Sequence, residues 1–286
     1  MIQKIKGIYF SPAGSTAEII THMVQFISKK LNLPYEFFSY TLPHQREQGF
    51  SFSKTDLVLW GTPVYAGRIP NKTLAYVTSA IHGQQSLAIP VVVYGNRSFD
   101  HALAELTHIM EISGCLPIAA AAVVARHSFS QTLAAGRPDA EDYRRIDAFC
   151  EAICENLLKH RSEEYWKAKN DDMVVELAIP GDPEPTAYYV PKKTDGSPAR
   201  FLKAKPKVAM DRCIQCGKCV SVCPMGSISL SQQGYPLFEK ICIKCQACIR
   251  QCPSQAIFMD DEDFLSHKKM VEENFMERKE LSVYFL

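Results

Sequence analysis

Eight of the chain's eleven cysteines fall between Cys213 and Cys252. They lie in two self-similar segments, D-R-C-I-Q-C-G-K-C-V-S-V-C-P and E-K-I-C-I-K-C-Q-A-C-I-R-Q-C-P. Each segment is a C-x2-C-x2-C-x3-C run closed by proline (Pro224, Pro253). Cys213, Cys216, Cys219 and Cys223 map onto Cys242, Cys245, Cys248 and Cys252 with one constant offset of 29. Three thiolates at steps of three lie on a tight loop around one corner of a cuboidal iron–sulfur cluster, and the fourth thiolate comes from the opposite run. The spacing therefore predicts one 4Fe–4S cluster on Cys213, Cys216, Cys219 and Cys252. A second takes Cys242, Cys245, Cys248 and Cys223. Zinc sites draw two C-x2-C knuckles from separate segments and need no third cysteine at the next step. Disulfides need an oxidising compartment. Ile214, Val220, Val222, Ile228, Ile243, Ile249 and Ile257 are expected to form an apolar shell that limits water.

A second set of residues with chemical potential lies near the N-terminus. F-S-P-A-G-S-T-A-E-I (residues 10–19) runs from an apolar stretch through small residues into an amphipathic one. Ser11, Ala13, Gly14, Ser15 and Thr16 would sit where free N–H groups and a helix dipole converge on an anion. The loop resembles the FMN-phosphate loop of flavodoxins, S/T-x-T-G-x-T, with Ala13 where threonine is usual. That departure removes one hydroxyl contact and keeps the backbone donors, so weaker phosphate binding is expected.

Two further loops follow apolar runs, W-G-T-P-V-Y-A-G-R-I-P (60–70) and V-Y-G-N-R-S-F-D-H-A-L (93–103). A flavin needs flat apolar faces on its ring and hydrogen bonds along its polar edge. Tyr65 and Tyr94 are expected to supply the faces, and Pro63 and Val64 lead into the same loop. The Ala66–Gly67 and Gly95–Asn96 peptides, with small side chains, can approach the edge. Arg68 or Arg97 would stabilise negative charge on a reduced ring.

These loops need a scaffold, and residues 1–160 provide an alternating one. Strands are predicted at Ile5–Phe10, Tyr35–Tyr40, Asp56–Trp60, Leu87–Tyr94 and Ile118–Ala125. Helices are predicted at Ser15–Leu31, Asn71–Ile81, Phe99–Ser113 and Ala140–His160. Such alternation means a parallel sheet covered on both faces, and five strands fit a flavodoxin-like doubly wound α/β fold. Ligand loops then lie at the carboxyl ends of the strands, which is where all three loops fall. Residues 161–207 are punctuated by prolines and read as a linker or an irregular packed connection. Residues 208–259 form the small α+β dicluster unit, and 260–286 a charged, helical tail beginning at D-D-E-D.

Composition narrows the function further. Apolar residues are 47% and charged residues 22%, and 32 basic against 31 acidic residues leave a net charge of +1. This is ordinary globular usage, and it excludes nucleic-acid binding through bulk electrostatics. The segment 192–212 carries seven basic residues against Asp195 and Asp211, a solvated tether or a patch for an acidic partner. No stretch is apolar enough to insert in a membrane or to act as a signal peptide, so a cytoplasmic protein is expected. Cys115, Cys150 and Cys154 read as core residues and Trp60 as strand-end packing. His101 and His127 belong to no ligand-spaced cluster. Neither a G-x-G-x-x-G nor a P-loop is present.

Taken together, the three N-terminal loops and the cysteine repeat resemble the EFR1-type ferredoxin family, in which a flavodoxin-like domain is fused to a bacterial two-cluster ferredoxin domain. The resemblance covers nearly the whole chain except the proline-rich connection. It implies electron transfer involving FMN and two 4Fe–4S clusters, with redox partner proteins. Two other readings stand beside a relay. One is an oxidoreductase that reduces a small molecule at the flavin. The other is a ferredoxin whose flavodoxin-like half lacks FMN and only docks a partner.

Overall fold

The computed structural model of the chain describes residues 2–160 and 177–286. The first part of the chain builds β1 (Lys4–Tyr9), α1 (Ser15–Leu31), β2 (Tyr35–Ser39), β3 (Phe50–Phe52), β4 (Asp56–Pro63) and α2 (Asn71–Ala80). It continues with β5 (Ile81–Gly83), β6 (Leu87–Tyr94), α3 (Ala102–Ile112), β7 (Leu116–Pro117), β8 (Ala119–Val124) and α4 (Ala140–Lys159). Strands β2, β1, β4, β6 and β8 lie side by side, all parallel. This is the flavodoxin-like doubly wound order.

The central strands are continuous apolar runs because both faces are covered. On one face Ile5, Leu57, Leu59 and Ile89 pack under α1 and α4 through Ile20, Met23, Phe149 and Ile153. On the other, Ile8, Trp60 and Val92 meet Val77 of α2 and Leu103, Leu106 and Met110 of α3. Helix α1 can approach β4 closely because Gly61 has no side chain: a Cβ there would lie 2.9 Å from the Thr16 methyl. Cys115, Cys150, Cys154 and Trp60 are buried in these layers.

The rest of the chain adds β9 (Lys207–Val208), β10 (Ile228–Leu230), β11 (Pro236–Phe238), β12 (Ile257–Phe258) and β13 (Ser282–Phe285). β10 pairs with β11 and β12 with β9, both antiparallel. The internal repeat of the sequence is also a repeat of backbone conformation. Left-handed residues recur at the same offset of 29: Gln215 and Lys244 (φ 58° and 56°), Gly217 and Gln246 (68° and 63°), Gly226 and Gln255 (56° and 51°). One-turn helices Lys218–Ser221 and Ala247–Arg250 follow the middle pair.

One expectation needs correction, and a second is narrowed. The tail is helical only over Glu262–Asn274, where the Asp261 carboxylate caps the helix by accepting from Phe264 N–H at 2.9 Å. The chain then returns and β13 joins β8 antiparallel; with short β7 paired to β6, the flavodoxin-like sheet has seven strands among the described residues, of which β13 is the antiparallel one. β13 closes the open edge of β8, and Phe285 rests on Phe149 at 5.2 Å. Of the expected linker, residues 161–176 lie outside the described residues. The described remainder, 177–207, takes the packed form of the two expected rather than that of a free tether. Ala199, Phe201 and Ala204 are buried with Met259 and Phe264 in a small core of their own.

Candidate functional site

The cysteines surround two separate cavities. One is lined by Cys213, Cys216 and Cys219 together with Cys252, and the other by Cys242, Cys245 and Cys248 together with Cys223. Each cavity thus takes three thiols from one run and one from the other. Among the described residues, no three His, Cys, Asp or Glu side chains converge as the ligands of a single ion would. Four thiols around a cavity, rather than around a point, suit a cuboidal cluster held at its corners.

Backbone donors reinforce the arrangement. Ser227 N–H donates to Cys223 Sγ at 3.4 Å and Ala256 N–H to Cys252 Sγ at 3.3 Å, the same contact in both halves. Burial works on Cys252, but the Ser254 hydroxyl and the Ala256, Ser254 and Ile257 amides hold it below the ordinary thiol range.

The two cavities differ in depth. Cys216 is exposed, and Ile214 beside it is 63% exposed, so Ile214 is not part of the expected apolar shell. Cys245 and Cys248 are buried, and burial pushes the Cys245 thiol up to about 12 and Cys248 higher still. Ile228 and Ile257 are buried between the halves.

The deep cavity faces the N-terminal unit. Arg250 donates to the carbonyls of His127 (2.6 Å), Ser128 (2.9 and 3.1 Å) and Ser130 (3.1 Å). Arg46 donates to Pro224 O at 2.5 Å, and Gln251 Nε2 to Pro12 O at 3.4 Å. A guanidinium with several donors suits a cluster of loop carbonyls, and these contacts fix how the two units meet. Cys245 consequently lines a second pocket, shared with Ser11–Thr16, Pro63, Val64, Tyr65, Tyr94 and Gly95. Burial raises the Tyr65 phenol well above its usual range, and the Cys245 and Cys242 thiols beside it add to the shift.

The Ser11–Thr16 loop has the donors of an anion site. Gly14 takes φ +97° and provides no side-chain cap, so helix α1 begins with open amides. Ser11 Oγ accepts from Ala17 N–H at 2.9 Å, and the Ser15 and Thr16 N–H groups have no acceptor among the described residues. Arg126, at the end of β8, reaches over the loop and donates to Ala13 O at 3.2 Å. Its position at a strand's carboxyl end is the signal that would have found it in the sequence.

The next loop forms a tight reversal. Tyr65 N–H donates to Arg68 O at 2.8 Å and Arg68 N–H to Tyr65 O at 3.2 Å, with Ala66 and Gly67 both at positive φ (48° and 80°). For Ala66 that conformation costs about 1–2 kcal/mol, strain of the kind found at ligand sites.

Tyr65, Ala66, Gly67, Tyr94, Gly95 and Arg97 also line a much larger cavity of about 990 Å³ that continues to Cys242, Ile243 and Lys244. Its roof comes from the segment expected to be a linker. Tyr189 N–H donates to Ala66 O at 2.9 Å and Tyr188 Oη to Ile69 O at 3.0 Å. Arg68 and Arg97 stack on these two rings at 4.5 and 4.1 Å. Tyr188 and Tyr189 carried no signal of their own, since no periodicity or motif marks that stretch.

Not every expected residue faces the cavity. The buried Asn96 side chain points away from it, donating to Phe275 O (2.6 Å) and Glu277 O (2.8 Å) and accepting from Lys279 N–H (3.1 Å). It anchors the returning tail. Both arginines are paired, Arg68 with buried Glu105 and Arg97 with Asp100, but only Arg97 lines the cavity. In the basic 192–212 segment, Lys193 and Lys207 pair with Asp263 and Asp260 of the tail at 3.7 and 2.8 Å, which consumes part of its charge. His101 Nδ1 accepts from Asp182 N–H, and His127 Nδ1 from Phe129 N–H.

Residues 212–257 match the family model described as a 4Fe-4S dicluster domain. No curated protein matches the chain. Among solved structures, a flavodoxin from the domain Archaea is similar at 14% identity and TM-score 0.39, over 55% of this chain and 100% of that one. The Streptococcus pneumonia TIGR4 flavodoxin is similar at 15% identity and TM-score 0.39, over 54% and 99%. Rubredoxin oxygen:oxidoreductase from Desulfovibrio gigas gives 15% and 0.39, over 55% of this chain and 36% of that one. The topology and the dicluster match together define an iron–sulfur electron-transfer protein in which a flavodoxin-like sheet is joined to a 4Fe–4S dicluster domain. No helix among the described residues is long and apolar enough to cross a membrane.

Proposed function

We propose that the chain is a cytoplasmic electron relay between FMN, held at the carboxyl edge of the sheet, and two 4Fe–4S clusters in series. The observation that carries this reading is the shared wall. Cys245 of the deep cluster cavity also lines the pocket of the Ser11–Thr16 loop, beside Tyr65. When bound, FMN would supply one- or two-electron chemistry and each cluster one-electron chemistry, which would let a two-electron event be divided into single steps.

In this reading the open amides of Ser15 and Thr16, the Ser11 hydroxyl and Arg126 hold the phosphate. Tyr65 and Tyr94 flank the ring and exclude water from it. Cys242, Cys245, Cys248 and Cys223 hold the cluster next to the flavin. Cys213, Cys216, Cys219 and Cys252 hold the outer one, and exposed Cys216 and Ile214 mark where a redox partner meets it. This two-unit construction is also what supports the likeness to EFR1-type ferredoxins.

Anaerobic purification followed by acid release of flavin and iron analysis tests the reading. About one FMN and about eight irons per chain are expected. Full iron with no flavin, even after incubation with FMN, would leave a ferredoxin with a docking domain instead.

A further inference from the structure

The cavity under Tyr188 and Tyr189 is larger than a flavin ring requires. At about 990 Å³ it stands at the upper end of the roughly 300–1,000 Å³ range of pockets that bury a whole drug-sized ligand. The phosphate end of FMN has its own pocket around Ser11–Thr16, which meets the large cavity along Val64, Tyr65, Tyr94 and Gly95. A flavin entering along that seam leaves the far side free, between Tyr189 and Phe201 and the Glu239–Lys244 loop.

Two properties of that far side describe what fits it. Its walls are aromatic and fixed. Tyr189 is held by Ala66 O and by Arg97, and Phe201 is stacked on His267 at 5.5 Å. The charge is strongly one-sided: the far side carries Lys203, Lys205, Lys240 and Lys244 against the single carboxylate of Glu239, with Lys72 elsewhere on the lining and Arg97 already paired with Asp100. Lys72, Lys203 and Lys240 stand exposed and have no carboxylate partner among the described residues. Lys244 is buried, and its ammonium donates to the carbonyls of Leu202 and Cys242. The FMN phosphate does not need these charges, because Arg126 serves its loop from the other pocket.

We propose that this chamber is a second ligand site, for a small planar anion such as an aromatic or conjugated carboxylate, stacked between the flavin and the Tyr189–Phe201 wall with its charge toward Lys203 and Lys240. The site rests on the FMN reading given above. It gives the relay a small-molecule ligand at the flavin in addition to a protein partner at the outer cluster.

The test titrates the full chain, loaded with flavin and clusters, with cinnamate and with neutral cinnamamide, by calorimetry and by the visible bands of the flavin. Cinnamate is expected to bind once per chain, to perturb the flavin bands, and to bind at least about tenfold more tightly than the amide. Lys203→Gln and Lys240→Gln, both at exposed positions, should each weaken cinnamate by about two- to fivefold, the range of an exposed ion pair, and added salt should do the same. A chain carrying about one FMN that binds neither probe, or binds both equally, overturns the site and leaves the relay standing. A chain that carries no flavin yet binds cinnamate with the same lysine dependence overturns both the relay and the stacking on flavin, and leaves an anion site on the Tyr189–Phe201 wall alone.

Discussion

Replacing Arg250 with glutamine should loosen the seam on which the whole electron path depends. The guanidinium makes four hydrogen bonds to three carbonyls of the 127–130 loop, from 2.6 to 3.1 Å. Hydrogen bonds from a charged donor contribute about 1.5–3 kcal/mol each, but they do not add, and glutamine keeps one donor nitrogen without the charge. Burial disfavours the charge, and Arg126 nearby opposes it further, so part of the gain is offset already. A net loss of about 2–4 kcal/mol follows, since cutting one side of a partly buried charged network leaves its acceptors unpaired.

Hydrogen exchange reads this directly. The Arg250 and Gln251 amides, bonded to Gln246 O and Ala247 O at 2.9 and 3.0 Å, should exchange roughly 30- to 700-fold faster in Arg250→Gln. The 127–130 loop should follow, while β1 and β4 keep their protection. Unchanged exchange at Arg250 and Gln251, or an equal rise throughout the sheet, would refute the view that this side chain clamps the two units together.

Asn96→Ala should cost about 2–4 kcal/mol, because three partly buried hydrogen bonds from a buried side chain to the tail are lost, and β13 should exchange faster; FMN affinity should stay within about threefold. A large fall in FMN affinity at unchanged stability would restore Asn96 as a flavin contact. Ala13→Thr restores the missing hydroxyl of the phosphate loop and should tighten FMN binding by about two- to tenfold, the effect of one hydrogen bond, measured by flavin fluorescence titration. His127 is pushed down to about 4 by burial, aided by His267, Arg250 and Arg97. The unfolded chain therefore takes up its proton first, and stability falls as pH drops below about 6.5 towards 4, by about 3 kcal/mol in all. Unfolding of His127→Phe compared with the parent across that range should show this slope removed.

How much of this was legible in the sequence varies by element. The parallel strands and the helices between them were readable because apolar runs in a doubly covered sheet are continuous: α1 spans Ser15–Leu31 and β6 spans Leu87–Tyr94, as the pattern required. The dicluster unit was readable because cluster chemistry fixes cysteine spacing rigidly. The three loops expected to bind flavin were placed by the strand pattern, and they do follow β1, β4 and β6. The roof and the seam were not. Tyr188 and Tyr189 act through contacts with Ile69 and Ala66 more than 100 residues away, and no local period records such a contact. Asn96 looked like a flavin contact because it follows Gly95, but only the returning tail shows which way its side chain turns. S-V-Y-F at 282–285 was hidden by the charged residues before it, and its partner is the exposed edge of β8.

The most direct test of the relay is the path of an electron placed on the flavin by a light-driven donor, followed in Cys216→Ala and Cys245→Ala. Transfer from flavin to iron–sulfur absorbance should persist in Cys216→Ala, whose lost thiol belongs to the outer cavity. It should vanish in Cys245→Ala, whose lost thiol lies on the wall shared with the flavin pocket. Equal transfer in both variants, or transfer that survives only in Cys245→Ala, would contradict the path from flavin to inner cluster to outer cluster.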